Sequence, residues 1–317
     1  MISFGSMPRL LGGLAGGLGV LLSLPVSAVN CGDSDPEALA WMDRMSRSTQ
    51  QVAYQGVITF QRGDDLQVMQ LSHSVSGPSA SEQLTRLTGQ GAQVVRDDHP
   101  LDCIHPGHQL LRMGSELAQG ECGIASHYRL GMADGERVAG RRTVHITVTP
   151  RDMYRYGYEL ELDRQTALLL KASTVGRGDK ILERFQYADV SFAEGDARDS
   201  GVDVVHQAAH PHAGEDASAG LGVDWGLRWV PAGFMATDDS SGDSARRTYT
   251  DGLAVFSVFL ERLAATMPSG EGVVRQGSTT SYTRGIQLDG QPILVTVIGE
   301  VPVNTARMVA DSVSRVR

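Results

Sequence analysis

The sequence predicts an α+β protein of two domains, each built around an antiparallel β-sheet. Its 317 residues exceed the usual size of one domain. Segments in which apolar and polar residues alternate dominate the chain, and they do not alternate regularly with helices as they would around a parallel sheet. The composition, with 41% hydrophobic and 21% charged residues, is that of a globular protein able to fill two cores.

The first domain is predicted over residues 33–194 and begins with a helix. Ser34 and Glu37 fit a capping box, whereas Asp35 before Pro36 fits an N-cap followed by proline in the first turn. Two helix starts, one residue apart, are therefore open. The apolar face of this helix is supplied by Leu39, Trp41, Met42 and Met45, and the helix is predicted to end within residues 46–51.

Strands follow the helix in the first domain. Alternation predicts them at residues 54–60, 66–74, 144–149, 153–163, 168–175 and 180–190, the last three as a meander. In the segment 153–163 one face is predicted to carry Tyr154, Tyr156, Tyr158, Leu160 and Leu162. The other face is expected to be solvated and to carry Arg155, Glu159, Glu161 and Asp163.

A linker is predicted at residues 195–221, where small, acidic and histidine residues occur without periodicity. The second domain, residues 222–317, is expected to consist of short strands and a final helix. Its strands are predicted at residues 225–234, 247–249, 253–260, 278–282 and 293–298. Asn304 or Thr305 is the predicted N-cap of the final helix.

Residues 1–28 have the layout of a secretory signal peptide. Arg9 precedes a glycine-rich apolar stretch that is shorter than a membrane-spanning helix needs, and Val26-Ser27-Ala28 provides small residues for cleavage. An uncleaved membrane anchor is the alternative interpretation. We expect the mature chain to be exported.

Export places the cysteines in an oxidising compartment. Cys103 and Cys122 bracket a loop of 18 residues, and closing a loop of this length contributes about 3 kcal/mol in the chain-entropy model. We predict a disulfide between them, which leaves Cys31 as a free thiol or an alternative partner.

Charge and motifs exclude several functions. A formal charge of −9 provides no general basic surface for a phosphate backbone, so we expect no nucleic-acid partner. The sequence has no G-x-S-x-G elbow, H-E-x-x-H helix or P-loop, and we do not expect an enzyme. His99, His105 and His108 surround Cys103, but prolines mark this segment as a loop, and neither a metal nor a cofactor is expected.

The tyrosine row of residues 153–163 allows two interpretations. Aromatic residues at strand spacing most simply pack a core. If the sheet curves around a cavity, the same row can bind lipid, because each acyl methylene gains about 0.8 kcal/mol on leaving water. The lipid-pocket candidates are Tyr154, Tyr156, Tyr158, Leu160 and Phe185.

Short blocks in both domains resemble one family. The first domain contains Thr149-Pro150-Arg151-Asp152, Arg155-Tyr156-Gly157-Tyr158-Glu159-Leu160 and Leu182-Glu183-Arg184-Phe185-Gln186. The second contains Trp229-Val230-Pro231-Ala232-Gly233-Phe234, Tyr249-Thr250-Asp251-Gly252-Leu253 and Val297-Ile298-Gly299-Glu300-Val301-Pro302. Their types and order resemble the MucB/RseB family of periplasmic negative regulators of the sigma-E (AlgU-type) envelope-stress factor.

The resemblance implies a fold and a function. It implies an N-terminal incomplete antiparallel β-barrel with helices, similar to the lipoprotein carriers of the outer-membrane localisation pathway, and a smaller C-terminal sheet with a packed helix. It implies a periplasmic protein that binds the periplasmic part of a MucA/RseA-like, membrane-spanning anti-sigma factor and shields it from site-one proteolysis. Lipid or lipopolysaccharide is expected to release the protein from the anti-sigma factor. Homo-oligomerisation is left open.

Partner-binding candidates lie in the second domain. They are Trp229, Phe234, Arg246, Arg247 and Glu300, although the aromatic members can equally serve the core. An alternative function is a periplasmic lipid or lipoprotein carrier that uses only the barrel. The segment 98–122, with its histidines and two cysteines, departs from the family pattern.

Overall fold

The N-terminal half of the chain forms one nine-stranded antiparallel sheet. The computed structural model describes residues 33–76, 79–89, 93–100, 122–192, 224–237, 245–263 and 270–316. The predicted signal peptide and the predicted linker, residues 1–28 and 195–221, lie outside these ranges.

In the described part of the N-terminal domain there are one α-helix, two short 3-10 helices and nine strands. The α-helix is α1 (Pro36–Gln51). The strands are β1 (Tyr54–Arg62), β2 (Asp65–Ser76), β3 (Ser79–Arg86), β4 (Gln93–Pro100), β5 (Tyr128–Val138), β6 (Arg141–Pro150), β7 (Gly157–Asp163), β8 (Leu169–Val175) and β9 (Ile181–Phe192). Their order in the sheet is β4-β3-β2-β1-β9-β8-β7-β6-β5. Because β4 and β5 stand at opposite ends, the sheet does not close, which confirms the predicted incomplete antiparallel architecture.

Helix α1 begins where Asp35 caps it. The Asp35 side chain accepts a hydrogen bond from the Glu37 amide at 2.8 Å, and Pro36 occupies the first turn. Ser34 instead accepts from the Leu130 amide at 3.1 Å and so ties the chain to β5. The structure therefore selects the second of the two predicted helix starts.

The apolar face of α1 packs on one end of the sheet. Trp41 and Met42 of the helix share a core with Val144, Ile146 and Val148 of β6, all buried. The period-two alternation predicted for residues 144–149 is confirmed. Its cause is that one face of β6 lies under the helix.

The C-terminal domain has its own sheet and core. Its strands are β10 (Trp225–Leu227), β11 (Met235–Ala236), β12 (Arg246–Thr250), β13 (Val255–Arg262), β14 (Glu271–Gln276), β15 (Thr279–Leu288), β16 (Gln291–Gly299) and β17 (Val313–Arg315). Six of them form a sheet in the order β11-β12-β13-β16-β15-β14, and β10 pairs with β17. Helix α2 (Val303–Asp311) packs on β15 and β16, as predicted for a sheet with a packed helix.

Three predicted boundaries are wrong. The strand 153–163 starts only at Gly157, because the Asp152 carboxylate accepts from the Tyr154 amide at 2.9 Å and bends the chain beforehand. The predicted strand 225–234 is strand only up to Leu227, because the Phe234 amide closes a turn onto the Pro231 carbonyl. Helix α2 follows Pro302 without a side-chain cap, so neither predicted N-cap residue caps it.

The solvated face predicted for residues 153–163 is also wrong in part. Glu159 is exposed, but Arg155, Glu161 and Asp163 are buried. Glu161 is satisfied by the hydroxyl of Thr143 and by His145 Nδ1, 2.9 Å away. Asp163 accepts from Arg141 and from the amides of Gln165 and Thr166. Pairing and hydrogen bonding allow these charges to be buried.

Among the described residues, no helix is long and apolar enough to cross a membrane.

Candidate functional site: the junction and cleft between the domains

The two domains meet at a buried ion pair. Arg155 lies in the bend before β7, and its Nη1 is 2.7 Å from Oδ2 of Asp251, which precedes β13. Both side chains are 0% exposed. The guanidinium also pairs with Asp152 and donates to the Ala232 carbonyl. One cation thus links its own bend to two loops of the second domain.

Asp251 is held in place by groups from both domains. Its Oδ1 accepts from the amides of Leu253 and Ala254, at 3.0 and 2.8 Å. Its Oδ2 accepts from the hydroxyl of Tyr128 on β5, at 2.8 Å. These bonds supply the polar partners that a buried carboxylate needs.

The surroundings shift the pKa values at this junction. Burial lowers the pKa of Arg155, but Asp251, Tyr128 and Asp152 together more than offset this effect, and the net pKa is raised. Burial raises the pKa of the Tyr128 hydroxyl well above its usual range. For His127, burial and the nearby Arg155 charge lower the pKa. The Arg155 guanidinium therefore stays charged, while the His127 imidazole favours its neutral form.

Aromatic contacts extend the junction beside the ion pair. Tyr154 meets Trp229 edge to face, with ring centroids 5.2 Å apart. The Thr305 hydroxyl of α2 donates to the Tyr154 carbonyl at 2.9 Å. The Tyr156 hydroxyl donates to the Val301 carbonyl at 3.3 Å. Thr305, a predicted cap, thus joins the domains instead.

A third contact between the domains brings two acidic side chains, Glu183 and Glu300, near each other. The Ser278 amide, in the turn between β14 and β15, donates to the Glu183 carboxylate of β9 at 3.3 Å. Arg62 lies 3.4 Å from the same carboxylate. Burial raises the pKa of Glu300, and the charge of Glu183 raises it further.

A cleft of about 930 Å³ opens along this junction. Its wall in the N-terminal domain comes from the end of β6, the bend, the start of β7 and the β8–β9 turn, and its other wall comes from β14 and the start of α2. Cationic lining residues are Arg151, Arg155, Arg177, Lys180 and Arg275, and acidic ones are Asp152, Glu159 and Asp179. The cleft is therefore lined by charges of both signs together with apolar side chains. This lining suits a peptide segment that carries both polar and apolar side chains.

The lipid-pocket candidates do not form one row. Tyr154, Tyr156 and Tyr158 line the cleft. Leu160 is buried beneath α1, and Phe185 packs edge-on against Tyr187 in a separate cluster. The predicted five-residue set is thus divided between the cleft and two cores, and lipid binding stays a prediction.

The partner-binding candidates are similarly divided. Phe234 is 5% exposed and belongs to the second core, against Phe256. Arg247 pairs with Asp224. Arg246 is exposed on β12. Trp229 and Glu300 lie at the contacts between the domains described above, and the Phe234 ring centroid is 5.2 Å from the Arg155 guanidinium. Partner binding by any of the five stays a prediction.

The predicted disulfide cannot be placed as a pair, because Cys103 lies outside the described residues. Cys122 is 6% exposed and packs in the first core.

Arg155 and Asp251 were missed as site residues. Period-two alternation predicts Arg155 on a solvated strand face. Asp251 falls within one of the blocks that resemble the family, Tyr249-Thr250-Asp251-Gly252-Leu253. The Asp251-Gly252 dipeptide is a turn signal, but local sequence says nothing of a partner in another domain.

Comparisons with known proteins agree with this two-domain structure. Residues 37–210 match the family model of the MucB/RseB N-terminal domain, and residues 221–314 match that of the MucB/RseB C-terminal domain. The chain is 33% identical to sigma factor AlgU regulatory protein MucB of Pseudomonas aeruginosa, over 93% of this chain and 95% of the relative. It is 24% identical to sigma-E factor regulatory protein RseB of Haemophilus influenzae, over 92% and 95% of the two chains.

A solved structure is similar over the same extent. It is MucB from the Pseudomonas aeruginosa MucA/MucB complex, with a TM-score of 0.68 and 30% identity, and the match covers 89% of this chain and 99% of that one. Both family models match in order, one for each sheet of the structure. The chain belongs to the MucB/RseB family.

Proposed function

We propose that this protein works in the periplasm, where it binds the periplasmic part of a membrane-spanning anti-sigma factor and shields it from site-one proteolysis. It thereby restrains a sigma-E-type stress response. The observation that carries the proposal is the cleft, because both domains contribute its walls. The similar MucB structure was solved together with MucA, which supports a protein partner.

The cleft has the size and chemistry for a chain segment. Its 930 Å³ falls within the roughly 300–1,000 Å³ of common binding sites. Met153, at 50% exposure, offers apolar area at its edge, while the charged lining can pair with polar groups of a segment. A segment held between two domains is sterically hidden from a protease.

Release by lipid or lipopolysaccharide is the second part of the proposal. Three tyrosines and several cationic side chains line the same cleft, so an anionic lipid with acyl chains would compete with the segment for these groups. On this proposal the two ligands exclude each other.

Calorimetry of the mature chain with the cognate anti-sigma periplasmic segment tests the binding. We expect micromolar affinity or better, and loss of binding when lipopolysaccharide is added. Absence of measurable heat across the titration would refute binding. Unchanged affinity with lipopolysaccharide present would refute the release.

A pair of matched variants locates the binding site. Met153→Asp should weaken binding about tenfold or more, because it places a charge at an apolar edge of the cleft. Met235→Asp is the control, since Met235 is equally exposed, at 52%, but does not line the cleft. Equal effects of the two variants would place the site elsewhere.

Protection is measured separately. The anti-sigma segment is digested by the site-one protease with and without the protein, and we expect cleavage to slow in proportion to the bound fraction. Cleavage at the free rate under saturating protein would refute shielding while leaving binding intact.

A further inference from the structure

The methionine side chains of the described residues differ widely in their exposure to solvent. Met42 is 1% exposed, whereas Met153 is 50%, Met235 52% and Met308 38% exposed. Oxidation of a thioether to its sulfoxide requires that the oxidant reach the sulfur. Among the described residues, the three exposed methionines are therefore the ones that a soluble peroxide should oxidise first.

The three exposed methionines lie in different places. Met153 is in the bend before β7 and lines the cleft between the domains. Met308 of α2 lines a separate hollow of about 450 Å³ beside Trp229. Met235 of β11 lines neither of these two spaces. Oxidation of Met153 alone would change the surface of the cleft directly.

The bend that carries Met153 is fixed on both sides of this residue. The Asp152 carboxylate accepts from the Tyr154 amide at 2.9 Å and from Arg155 Nε at 3.2 Å. Arg155 is paired in turn with Asp251 of the second domain, at 2.7 Å. None of these contacts involves the Met153 sulfur. A change at that sulfur therefore alters the edge of the cleft without removing a contact that holds the domains together.

Sulfoxide formation makes this edge polar. Hydrogen peroxide transfers one oxygen atom to the sulfur, the thioether loses two electrons, and the rest of the peroxide leaves as water. The product carries a polar S=O group where the thioether was apolar. An apolar side chain packed on this edge would take the S=O oxygen out of water without giving it a hydrogen bond, which is unfavourable.

We propose that Met153 is a reversible oxidation site through which a peroxide weakens binding of the anti-sigma segment in the cleft. This inference rests on the proposed function. Oxidation of Met153 acts in the same direction as the lipid signal, because both lower the fraction of segment that is bound. A methionine sulfoxide reductase reverses the change: two thiols are oxidised to a disulfide, the oxygen leaves as water, and the thioether is regenerated.

Peptide mass mapping of the mature chain during exposure to hydrogen peroxide tests the site itself. We expect Met153 to gain one oxygen atom about tenfold faster than Met42, which is the buried internal control. Thermal unfolding of the chain oxidised at Met153 should match that of the untreated chain. Oxidation of Met153 no faster than that of Met42 would overturn the inference.

Calorimetry with the anti-sigma segment tests the effect on binding, with the peroxide removed before the segment is added. The oxidised wild type should bind about five- to tenfold more weakly than the untreated wild type. Met153→Leu keeps an apolar edge but has no sulfur, so its affinity should be the same before and after peroxide. Met235→Leu is the matched control, because Met235 is equally exposed but lies outside the cleft. This control should lose affinity on oxidation as the wild type does.

Reductase treatment gives a second readout that needs no variant. Because each sulfoxide epimer has its own reductase, the oxidised wild type is treated with both enzymes and a thiol. We expect the original affinity to return.

Three outcomes of the binding measurements would overturn the inference. Unchanged affinity of a wild type mapped as oxidised at Met153 would do so and leave the proposed function intact. An equal loss of affinity in peroxide-treated Met153→Leu would place the sensitive residue elsewhere. Absence of binding by the untreated chain would refute the proposed function, and the inference with it.

Discussion

Arg155 of the N-terminal domain and Asp251 of the C-terminal domain form a buried ion pair, with Nη1 and Oδ2 2.7 Å apart. The two residues are 96 positions apart in the sequence. The pair has further hydrogen bonds from both domains, including those from Tyr128 and the Leu253 and Ala254 amides. Such a pair fixes how the domains meet, because a shifted orientation would leave buried charges without partners. The cleft that it borders therefore has a defined width.

Replacing Arg155 should be costly. Arg155→Met leaves the Asp251 carboxylate buried without its cation, and we expect a loss of about 3–5 kcal/mol in the free energy of unfolding. Denaturation in urea measures it. The control is Arg315→Met, which removes a surface pair with Asp289 at 61% side-chain exposure of the arginine; its cost should stay below about 1 kcal/mol. Similar costs for the two variants would contradict a special role of the buried pair.

Gly233 should not tolerate a side chain. Its φ is +87°, and a Cβ there would lie 2.2 Å from the His127 ring of the other domain. Gly233→Ala should therefore push the domains apart and lower stability more than Gly290→Ala. Gly290 has φ +75° with nothing within 4 Å, so that control carries only the backbone strain of about 1–2 kcal/mol.

The comparison of the two alanine variants isolates the close approach between the domains. Urea denaturation gives the stabilities, and small-angle scattering reports the domain arrangement. Equal stabilities of the two variants and unchanged scattering would show that the close approach of Gly233 to His127 does not determine how the domains are arranged.

Glu300 should make stability depend on pH. Burial raises its pKa above the ordinary 4.5; Glu183 and Asp251 raise it further and Arg62 lowers it. Because the pKa of Glu300 is higher in the folded state, the stability that this group contributes is complete below pH 4.5, its ordinary pKa. That stability is lost as the pH rises through the pKa of the folded state. Glu300→Gln should therefore be more stable than the wild type at neutral pH, and the difference should vanish on acidification.

Thermal unfolding as a function of pH checks this prediction. Glu261→Gln is the control, because Glu261 is exposed on β13, and it should show no comparable change with pH. A stability difference for Glu300→Gln that grows on acidification would reverse the sign and refute the prediction.

The disulfide between Cys103 and Cys122 remains a prediction with a direct test. Peptide mapping without reductant should recover the two cysteines linked. The double variant Cys103→Ser/Cys122→Ser should lose about 3 kcal/mol of stability in the chain-entropy model. Cys31→Ser is the control, and recovery of Cys31 in the linked peptide would show the alternative pairing.

Much of the fold follows from local sequence. Strand β6 was predicted because Val144, Ile146 and Val148 alternate with polar residues, and one face of it is buried. Strand β5 was not predicted, since Gly131, Asp134 and Gly135 interrupt its alternation; it forms by pairing with β6. Alternation of apolar and polar residues identifies strands that have one buried face. It misses strands whose formation depends on pairing with a neighbouring strand.

The family, the antiparallel class of both sheets and the region where the first helix starts can all be predicted from local sequence patterns. The burial of Arg155, the contact of Thr305 with the other domain and the division of the tyrosine row become visible only once the chain is packed. A local pattern records which residues prefer to leave water. The partner that lets a charge be buried, as Asp251 does for Arg155, comes from a distant part of the chain.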